Sequence, residues 1–435
     1  MSEIGEVDPG GDLTDLREQN LRRLLSVLLE DRDGLTQSEL VDRTNLSRST
    51  VSSLTALLEG VLVSEPVKGA PERGRPVLAW HVDPSSAYSI GIDIGRTHVT
   101  VVATDAYGDV CLGPLTEPVQ GILKRPHHVL GVVAEMLQRL VDHNEIFCDH
   151  IAAVTIGLPG PVEVTAGTMN DAAAPAWSGL DVREEVRKRW PRSPVPHLLA
   201  DNDANLGAIA EHRSGAGIGA QSALFIKWSS GIGGGLILNG WLWHGSTGVA
   251  GEIGHLPVQV TPVEAASLRL DPDPSTWPRC VRCGQSHCLE LLAGGQTVAA
   301  ATRHPDFDAV IEAVLQPRQA DDPHEREVRE VLEVAARLIG RAVGPTLTLL
   351  DVERVIIGGI AGQPGLYPLL AEAFADGLSE TGMTQALADA SLEIGALGRV
   401  APVEGAALAG FDWFGVTYLL EAAEAAREAD LAHVS

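Results

Sequence analysis

The stretch GIDIGRTHV, residues 91–99, is a short apolar strand that ends at a glycine turn before a second strand begins. Glycine at such a turn lets backbone amides approach a phosphate oxygen without a Cβ in the way. The plan of strand, glycine turn, strand, tight turn and strand extends over residues 88–112. It is repeated at residues 223–243, where the turn reads SSGIGGG. The repetition predicts a duplicated α/β fold whose glycine turns face one cleft.

The chain around these two units is long and acidic. Its 435 residues are too many for one compact core, so we expect two or three domains. The net charge of −26 argues against nucleic-acid binding over the whole surface. A local basic element is still compatible with it, because salt screens surface fields within roughly 8–10 Å. Without a run of about 18 apolar residues or an N-terminal signal, we expect a cytoplasmic protein with no membrane span.

The first eighty residues predict three helices. A leucine stripe predicts the first helix, and a capping box at residues 36–39 opens the second. A third helix follows the turn at residues 45–47. Its outer face carries short hydrogen-bonding groups and one cation, namely Arg48, Ser49, Thr50, Ser52 and Ser53.

Two strands, 61–64 and 77–82, flank the basic loop KGAPERGRP, which holds Lys68, Arg73 and Arg75. Small polar side chains on a helix suit a DNA major groove, and arginines in an extended loop suit a minor groove. The pattern therefore predicts a winged helix-turn-helix that binds DNA. The alternative is a three-helix interaction module.

Three of the five cysteines fall within the run CVRCGQSHC, as Cys280, Cys283 and Cys288, while Cys111 and Cys148 stand alone. Thiolates at this spacing around a glycine predict a tetrahedral zinc knuckle that still lacks a fourth ligand. With a closed coordination shell, the metal would shape a site rather than catalyse. The alternative is a redox-active or merely reduced cluster.

Seven motifs occur in an order that resembles the ROK family of repressors and sugar kinases: GIDIGRTHV, IGLPGPV, DNDANLGAIAE, SSGIGGGLILNG, GVAGEIGH, CVRCGQSHCLE and VIIGGI. The resemblance covers nearly the whole chain. It implies a winged helix-turn-helix at residues 15–83 and a ribonuclease-H-like, actin/hexokinase-type ATPase-like fold with a zinc knuckle at 84–435. The two lobes of that fold would span about 84–200 and 201–415, with the C-terminal helix returning to the first lobe.

The same resemblance implies roles for individual residues. Asp203 would be the general base of a kinase, and a sugar would contact Asn202, Asp203, Glu252, His255 and Glu290. Phosphate or ATP would contact Asp93, Gly95, Thr97, Ser230, Gly231, Gly358 and Gly359. His255 would complete the metal site formed by Cys280, Cys283 and Cys288. The alternative for the sugar residues is that Asp203 and Glu252 cap helices and Glu290 is a solvated acid.

Three departures from the family pattern stand out. The first two cysteines have two residues between them instead of one, and Ser230 replaces a threonine. Arg96 replaces the second glycine of the first phosphate loop, where it either fills the space of a nucleotide contact or pairs with a phosphate as a cation. The proline-rich segment 261–278 predicts an irregular surface loop near the sugar site, acting as a lid or an interface.

These observations predict a sugar-responsive transcriptional regulator, most naturally a repressor. Its partners would be operator DNA and a carbohydrate or sugar-phosphate effector, its cofactor a structural Zn²⁺, and its assembly a homodimer or homotetramer. The alternative is a hexose or amino-sugar kinase that uses ATP and Mg²⁺ and retains a DNA-binding domain. A purely structural interaction protein would leave the ordered sugar-site residues unexplained.

Overall fold

The structure, a computed structural model, describes residues 13–67, 77–143, 150–316, 323–383 and 391–434. Within these ranges it contains thirteen α-helices and fifteen β-strands. The helices are α1 Leu13–Leu29, α2 Gln37–Thr44, α3 Arg48–Leu57, α4 Pro126–His143, α5 Val182–Arg187, α6 Asp203–Ser214, α7 Pro262–Ser267, α8 Leu289–Ala293, α9 Gly295–Thr302, α10 Phe307–Leu315, α11 Pro323–Leu350, α12 Tyr367–Thr381 and α13 Ala401–Val434. The strands are β1 Leu35–Thr36, β2 Leu62–Pro66, β3 Leu78–Val82, β4 Tyr88–Ile94, β5 His98–Thr104, β6 Val110–Pro118, β7 Ile151–Leu158, β8 Val162–Glu163, β9 Thr168–Met169, β10 His197–Asn202, β11 Ser222–Trp228, β12 Ile232–Leu238, β13 Trp241–Leu242, β14 Arg354–Gly358 and β15 Ser391–Ile394.

The N-terminal unit combines α1, α2 and α3 with a three-stranded antiparallel sheet in the order β1-β3-β2. The capping box at α2 is present, because the Thr36 hydroxyl and the Glu39 carboxylate each accept a hydrogen bond from the other residue's amide. Ser47 caps α3 by accepting from the Thr50 amide. The leucine stripe of α1 is fully buried at Leu24 and packs in one core with α2 and α3.

The rest of the chain contains two five-stranded mixed sheets with one topology. The first sheet has the order β10-β7-β4-β5-β6, in which β4, β5 and β6 are antiparallel and β7 and β10 run parallel to β4. The second has the order β13-β12-β11-β14-β15, with the same alternation of directions. The predicted duplicated α/β fold is therefore confirmed. We call the part that carries the first sheet, residues 88–202, the first lobe and residues 203–394 the second lobe.

Successive side chains of a strand point to opposite faces of the sheet, so each central strand packs against two different layers of helices. On β4, Ile90 and Ile92 face the core that contains α4, whereas Gly91 faces α13. On β11, Ile226 packs against the α11 and α12 side, whereas Phe225 packs against α6. As a result, α6 and α13 lie between the two sheets, and the end of each central strand opens towards the other lobe.

Helix α13 contacts all three parts of the molecule. Near its beginning, Val403 and Ala407 pack on Val102 of the first sheet, and Ala406 packs on α6. Further along, Leu419 and other residues of α13 join the core of the N-terminal unit. Its 34 residues extend over about 51 Å, so one helix connects the space between the lobes with the N-terminal unit.

The proline-rich segment 261–278 differs from the prediction of an irregular loop. It contains α7, where Pro262 occupies a favourable first helical position and Thr261 forms a capping box with Glu264. Glu264 is buried and accepts a hydrogen bond from Arg341 of α11 at 2.7 Å. The segment is thus anchored in the second-lobe core, and none of it lines the cleft described below. The prediction of a lid at the sugar site is wrong for this segment.

None of the helices in the described ranges is long and apolar enough to cross a lipid bilayer.

A glycine exchange tests the contact between α13 and α6. A Cβ added at Gly405 would lie 1.8 Å from the Leu206 carbonyl oxygen, and two backbones cannot move apart without loosening the interlobe packing. We expect Gly405→Ala to destabilise the protein by about 1–3 kcal/mol or more, measured as a lower thermal unfolding midpoint.

Gly131 on α4 is the matched control, since a Cβ there would meet no atom within 4 Å. Gly131→Ala should leave the midpoint unchanged or raise it, because alanine favours helix by about 0.8–1 kcal/mol over glycine. Equal midpoints for Gly405→Ala and wild type would show that α13 does not depend on this close contact.

Candidate functional site

A cavity of about 560 Å³ lies between the two lobes. Both glycine turns line it, through Gly95 in the first lobe and Gly231 in the second. Further lining comes from Glu252 and Glu290 of the second lobe and from Pro402 of α13. The carboxyl ends of β4 and β11 thus meet at one cleft, as the duplicated topology requires.

The central feature of the cleft is an ion pair between Asp203 and Lys227. Lys227 Nζ lies 2.5 Å from Asp203 Oδ2, and the two side chains are only 17% and 12% exposed. Asp203 is the first residue of α6, and Lys227 shares the face of β11 that carries Phe225. One of the two carboxylate oxygens of Asp203 is therefore bound to an ammonium group.

Asn202, the last residue of the first lobe, caps α6 at the start of the second lobe. Its Oδ1 accepts hydrogen bonds from the amides of Ala204 and Asn205 at 2.8 and 3.2 Å. Its Nδ2 donates to the Gly160 carbonyl oxygen of the first lobe at 2.9 Å. Asn202 lines the cleft, but most of its amide is engaged in these structural contacts. The helix cap is Asn202 rather than Asp203.

Asp93, at the end of β4, lies beside this pair. Its Oδ1 is buried without a hydrogen-bond partner among the described residues, and its Oδ2 is 3.8 Å from His98 Nε2. Burial, together with the Asp203 carboxylate, raises the pKa of Asp93 to about 7, while the Lys227 ammonium opposes the shift. Two carboxyl groups thus share one internal cation.

Arg96 reaches from the first glycine turn towards the second. Its Nη2 is 3.8 Å from Glu290 Oε1 of the second lobe and 3.4 Å from the position that a Cβ would take at Gly231. The guanidinium therefore fills the space between the two turns.

Two carboxyl groups of the second lobe, Glu252 and Glu290, line the other half of the cleft, whereas the predicted sugar residue His255 is not among the lining residues. Burial raises the pKa of Glu252 to about 7, with Arg282 opposing the shift and Glu290 adding to it. Glu290 Oε2 accepts a hydrogen bond from the Ile232 amide at 3.3 Å. His255 Nε2 is buried without a hydrogen-bond partner in the described structure and lies 3.6 Å from Glu252 Oε2. The two carboxyl groups can bind adjacent hydroxyls of a sugar, and His255 contacts Glu252 from outside the lining.

The predicted metal ligands come together behind this pocket. The ligand atoms of His255, Cys280, Cys283 and Cys288 all lie within 4.8 Å of one another. Cys280 Sγ is 3.6 Å from His255 Nδ1, and ligand atoms of a tetrahedral zinc lie about 3.5–3.8 Å apart. Burial raises the pKa of the Cys288 thiol to about 12, so this sulfur needs a cation beside it to become a thiolate. The four residues therefore fit a tetrahedral metal ion.

Of the other residues predicted to bind phosphate, three line the cleft and one does not. Thr97, Ser230 and Gly359 line the cleft together with Gly95 and Gly231. Gly358 does not line it, because its Cα faces the ring of Phe225.

The predicted DNA-contact residues lie on α3 where the structure describes them. Arg48, Ser49, Ser52 and Ser53 are exposed, and Thr50 is half-buried with its hydroxyl 2.8 Å from Ser47 Oγ. Arg43 on α2, by contrast, pairs with Glu30 and Asp31. Lys68, Arg73 and Arg75, like Cys148, lie outside the described residues.

The charged residues of the cleft that the sequence prediction missed are Lys227, Arg282, Asp306, Asp308 and Arg399. Two of them, Lys227 and Arg282, make the contacts that matter most here. Each carries a signal that could have been used. Lys227 is the only charge in the apolar run ALFIKW, and a charge in a buried strand needs a partner. Arg282 is the additional residue between the first two cysteines of the knuckle.

Comparison with known proteins places this architecture in a family. The ROK family model matches residues 89–409. A glucokinase from Halalkalibacterium halodurans is 27% identical over 65% of this chain and 82% of its own length. The transcriptional dual regulator NagC from Escherichia coli is 24% identical over 81% of this chain and 84% of its own.

A solved structure covers more of the chain. It is the crystal structure of a ROK family transcriptional regulator, a homologue of the E. coli MLC protein, and it superposes with a TM-score of 0.72 at 20% identity. The superposition covers 94% of this chain and 99% of that one, so the likeness of fold includes the N-terminal unit. With the family model matching most of its length, this chain belongs to the ROK family.

Proposed function

We propose that the protein is a sugar-responsive transcriptional regulator. Its N-terminal unit would be a winged helix-turn-helix that binds operator DNA, and the interlobe cleft would bind a carbohydrate or sugar-phosphate effector. Relatives of both kinds, regulators and sugar kinases, support a sugar as the ligand. A two-fold operator would require a homodimer or a homotetramer.

The observation that carries the proposal is that α13 runs from the cleft to the core of the N-terminal unit. Pro402 at the beginning of α13 lines the cleft, while Leu419 shares a core with Val51 and Leu54 of α3. A change in the distance between the lobes would therefore move an element that is packed directly on the DNA-facing helix. A ligand acts through such an element if it binds one arrangement more tightly than the other.

The cleft favours a sensor over a phosphoryl-transfer enzyme. Lys227 binds Oδ2 of Asp203, and Arg96 lies between the two glycine turns, next to Glu290 and Gly231. Both side chains would have to move before ATP, Mg²⁺ and a sugar could be aligned. The second candidate function, an ATP-dependent hexose or amino-sugar kinase, is favoured by Asp203 itself, which lies in the cleft at the start of α6.

The metal would be a structural Zn²⁺ held by His255 Nδ1 and three cysteine sulfurs. Binding through Nδ1 leaves Nε2 of the same ring directed towards Glu252. The metal would thus fix the orientation of the imidazole and of Glu290, which lies two residues after Cys288. No catalytic step is assigned to it.

The regulator proposal predicts that DNA and sugar binding can be separated by mutation. Arg48→Ala should weaken binding to a duplex selected from a random pool by about 5- to 100-fold, because an exposed cation on α3 contacts DNA. Arg43→Ala is the matched control, since Arg43 is already paired with two acids. Electrophoretic mobility shifts measure both, and equal binding by Arg48→Ala and wild type would rule out α3 as the recognition helix.

In the same proteins, a thermal shift screen of hexoses, amino sugars and their 6-phosphates should identify a ligand. When the free ligand concentration is about 100 times the dissociation constant, the ligand should stabilise the folded protein by about 2.7 kcal/mol. Arg48→Ala should keep this shift, whereas Glu252→Ala should lose it. The ligand should also change DNA affinity by roughly 5- to 150-fold. A ligand that binds without affecting DNA binding contradicts the regulator proposal.

The arrangement of Lys227 predicts the absence of phosphoryl transfer. With ATP, Mg²⁺ and the identified sugar, wild-type turnover should be at least a thousandfold below the roughly 1–100 s⁻¹ of kinases. Coupled detection of ADP measures it, with Lys227→Ala as the variant that frees Asp203. Wild-type turnover that disappears in Asp203→Ala would establish the kinase instead.

The metal assignment predicts about one zinc per chain, measured by mass spectrometry of the purified protein. Cys288→Ser should reduce the content below half an equivalent. Cys111→Ser is the control, because Cys111 is an exposed free cysteine on β6. A wild-type content below half an equivalent, even after incubation with Zn²⁺, would refute the site.

A further inference from the structure

Arg282 lies within the cysteine knuckle but faces the first lobe. It is flanked by Cys280 and Cys283, two of the proposed metal ligands. Its side chain is 12% exposed, whereas the neighbouring Val281 is 68% exposed. The knuckle therefore directs the arginine inward and the valine to solvent.

The guanidinium forms a bidentate ion pair with Asp171, which follows β9 in the first lobe. Arg282 Nε donates to Asp171 Oδ1 at 2.8 Å, and Nη2 also pairs with Oδ2. Nη2 donates further to the Pro159 carbonyl oxygen at 3.2 Å. The Asp171 side chain is fully buried, so its charge has no access to water when the pair is formed. The pair joins the second-lobe knuckle to the first lobe.

This contact borders the effector pocket. Arg282 and Pro159 both line the cleft, and the adjacent Gly160 accepts the hydrogen bond from Asn202. The loop at residues 159–160 is therefore held by the helix cap Asn202 on one side and by Arg282 of the knuckle on the other. Separation of Arg282 from Asp171 would open the cleft at this edge.

We infer that Arg282 is a positioning residue through which metal binding at the knuckle holds the two lobes together. The inference rests on the proposed metal at His255 and the three cysteines. A bound ion fixes the backbone on both sides of Arg282 and thereby its direction. Loss of the ion frees this backbone, and the bidentate geometry that buries Asp171 is lost with it.

Coupling between two sites is reciprocal, so breaking the pair must loosen the metal. Asp171→Asn is the decisive variant, because Asp171 belongs to the other lobe and makes no hydrogen bond to any of the four ligands in the described structure. Full-length protein is loaded with Zn²⁺, and transfer of zinc to the chelator 4-(2-pyridylazo)resorcinol is followed by absorbance. We expect Asp171→Asn to lose roughly 5- to 150-fold in zinc affinity and to release zinc faster by a similar factor, because most of an affinity change between related complexes appears in the dissociation rate.

Two further variants complete the experiment. Asp412→Asn removes another ion pair between α6 and α13, Arg213–Asp412 at 2.9 Å, and should release zinc at the wild-type rate. Arg282→Lys keeps the charge but not the bidentate geometry and should release zinc faster. If Asp171→Asn does not fold, zinc release by Arg282→Lys alone tests whether the ion pair is coupled to the metal. Small-angle scattering should show a larger radius of gyration for metal-free wild type and for zinc-loaded Asp171→Asn than for zinc-loaded wild type.

The experiment distinguishes a wrong metal site from a wrong coupling between the metal and the ion pair. If wild type binds no zinc, the proposed metal site is refuted and this inference falls with it. If wild type holds zinc but Asp171→Asn and Arg282→Lys release it at the wild-type rate, the metal site stands and the coupling is overturned. Scattering curves that do not change with metal would likewise overturn it.

Discussion

The packing of α13 at backbone distance between the two lobes is the constraint on which the rest of the structure depends. A Cβ at Gly91 would lie 2.0 Å from the Val403 carbonyl oxygen, and one at Gly405 would lie 1.8 Å from that of Leu206. Only glycine permits such an approach, so α13 touches both the first sheet and α6. Because the same helix continues into the core of the N-terminal unit, the lobes and that unit share one rigid element.

Two acids of the cleft have cations of the protein beside them. Lys227 lies 2.5 Å from Asp203, and Arg96 lies 3.8 Å from Glu290. Of two other acids, Asp93 is buried and Glu252 is half-buried, and burial raises the pKa of each to about 7. A buried charge is costly unless it is paired, so these two carboxyl groups hold a proton more readily than exposed ones.

The sequence predicted the duplicated fold because its signals are local and repeated: apolar strands that break at glycine, a capping box, and cysteines at knuckle spacing. It also named the four residues that gather as the cysteine–histidine cluster. What it could not predict depends on which distant side chains meet. Nothing near Lys227 in the chain indicates Asp203, and nothing near Arg282 indicates Asp171. The helix at residues 262–267 was missed because proline was treated as a breaker, although at the first helical position it is favourable.

The contacts between the lobes are of two physical kinds, and the difference determines what can move. Around α13 they are apolar and close-packed, so separating them would open cavities that cost several kcal/mol. At the edge of the cleft they are polar: Arg282 with Asp171, and Arg96 with Glu290. Polar contacts can be exchanged for those of a hydroxylated ligand at little net cost. The lobes should therefore rotate about α13 and open at the polar edge, which is the edge that the cysteine–histidine cluster adjoins.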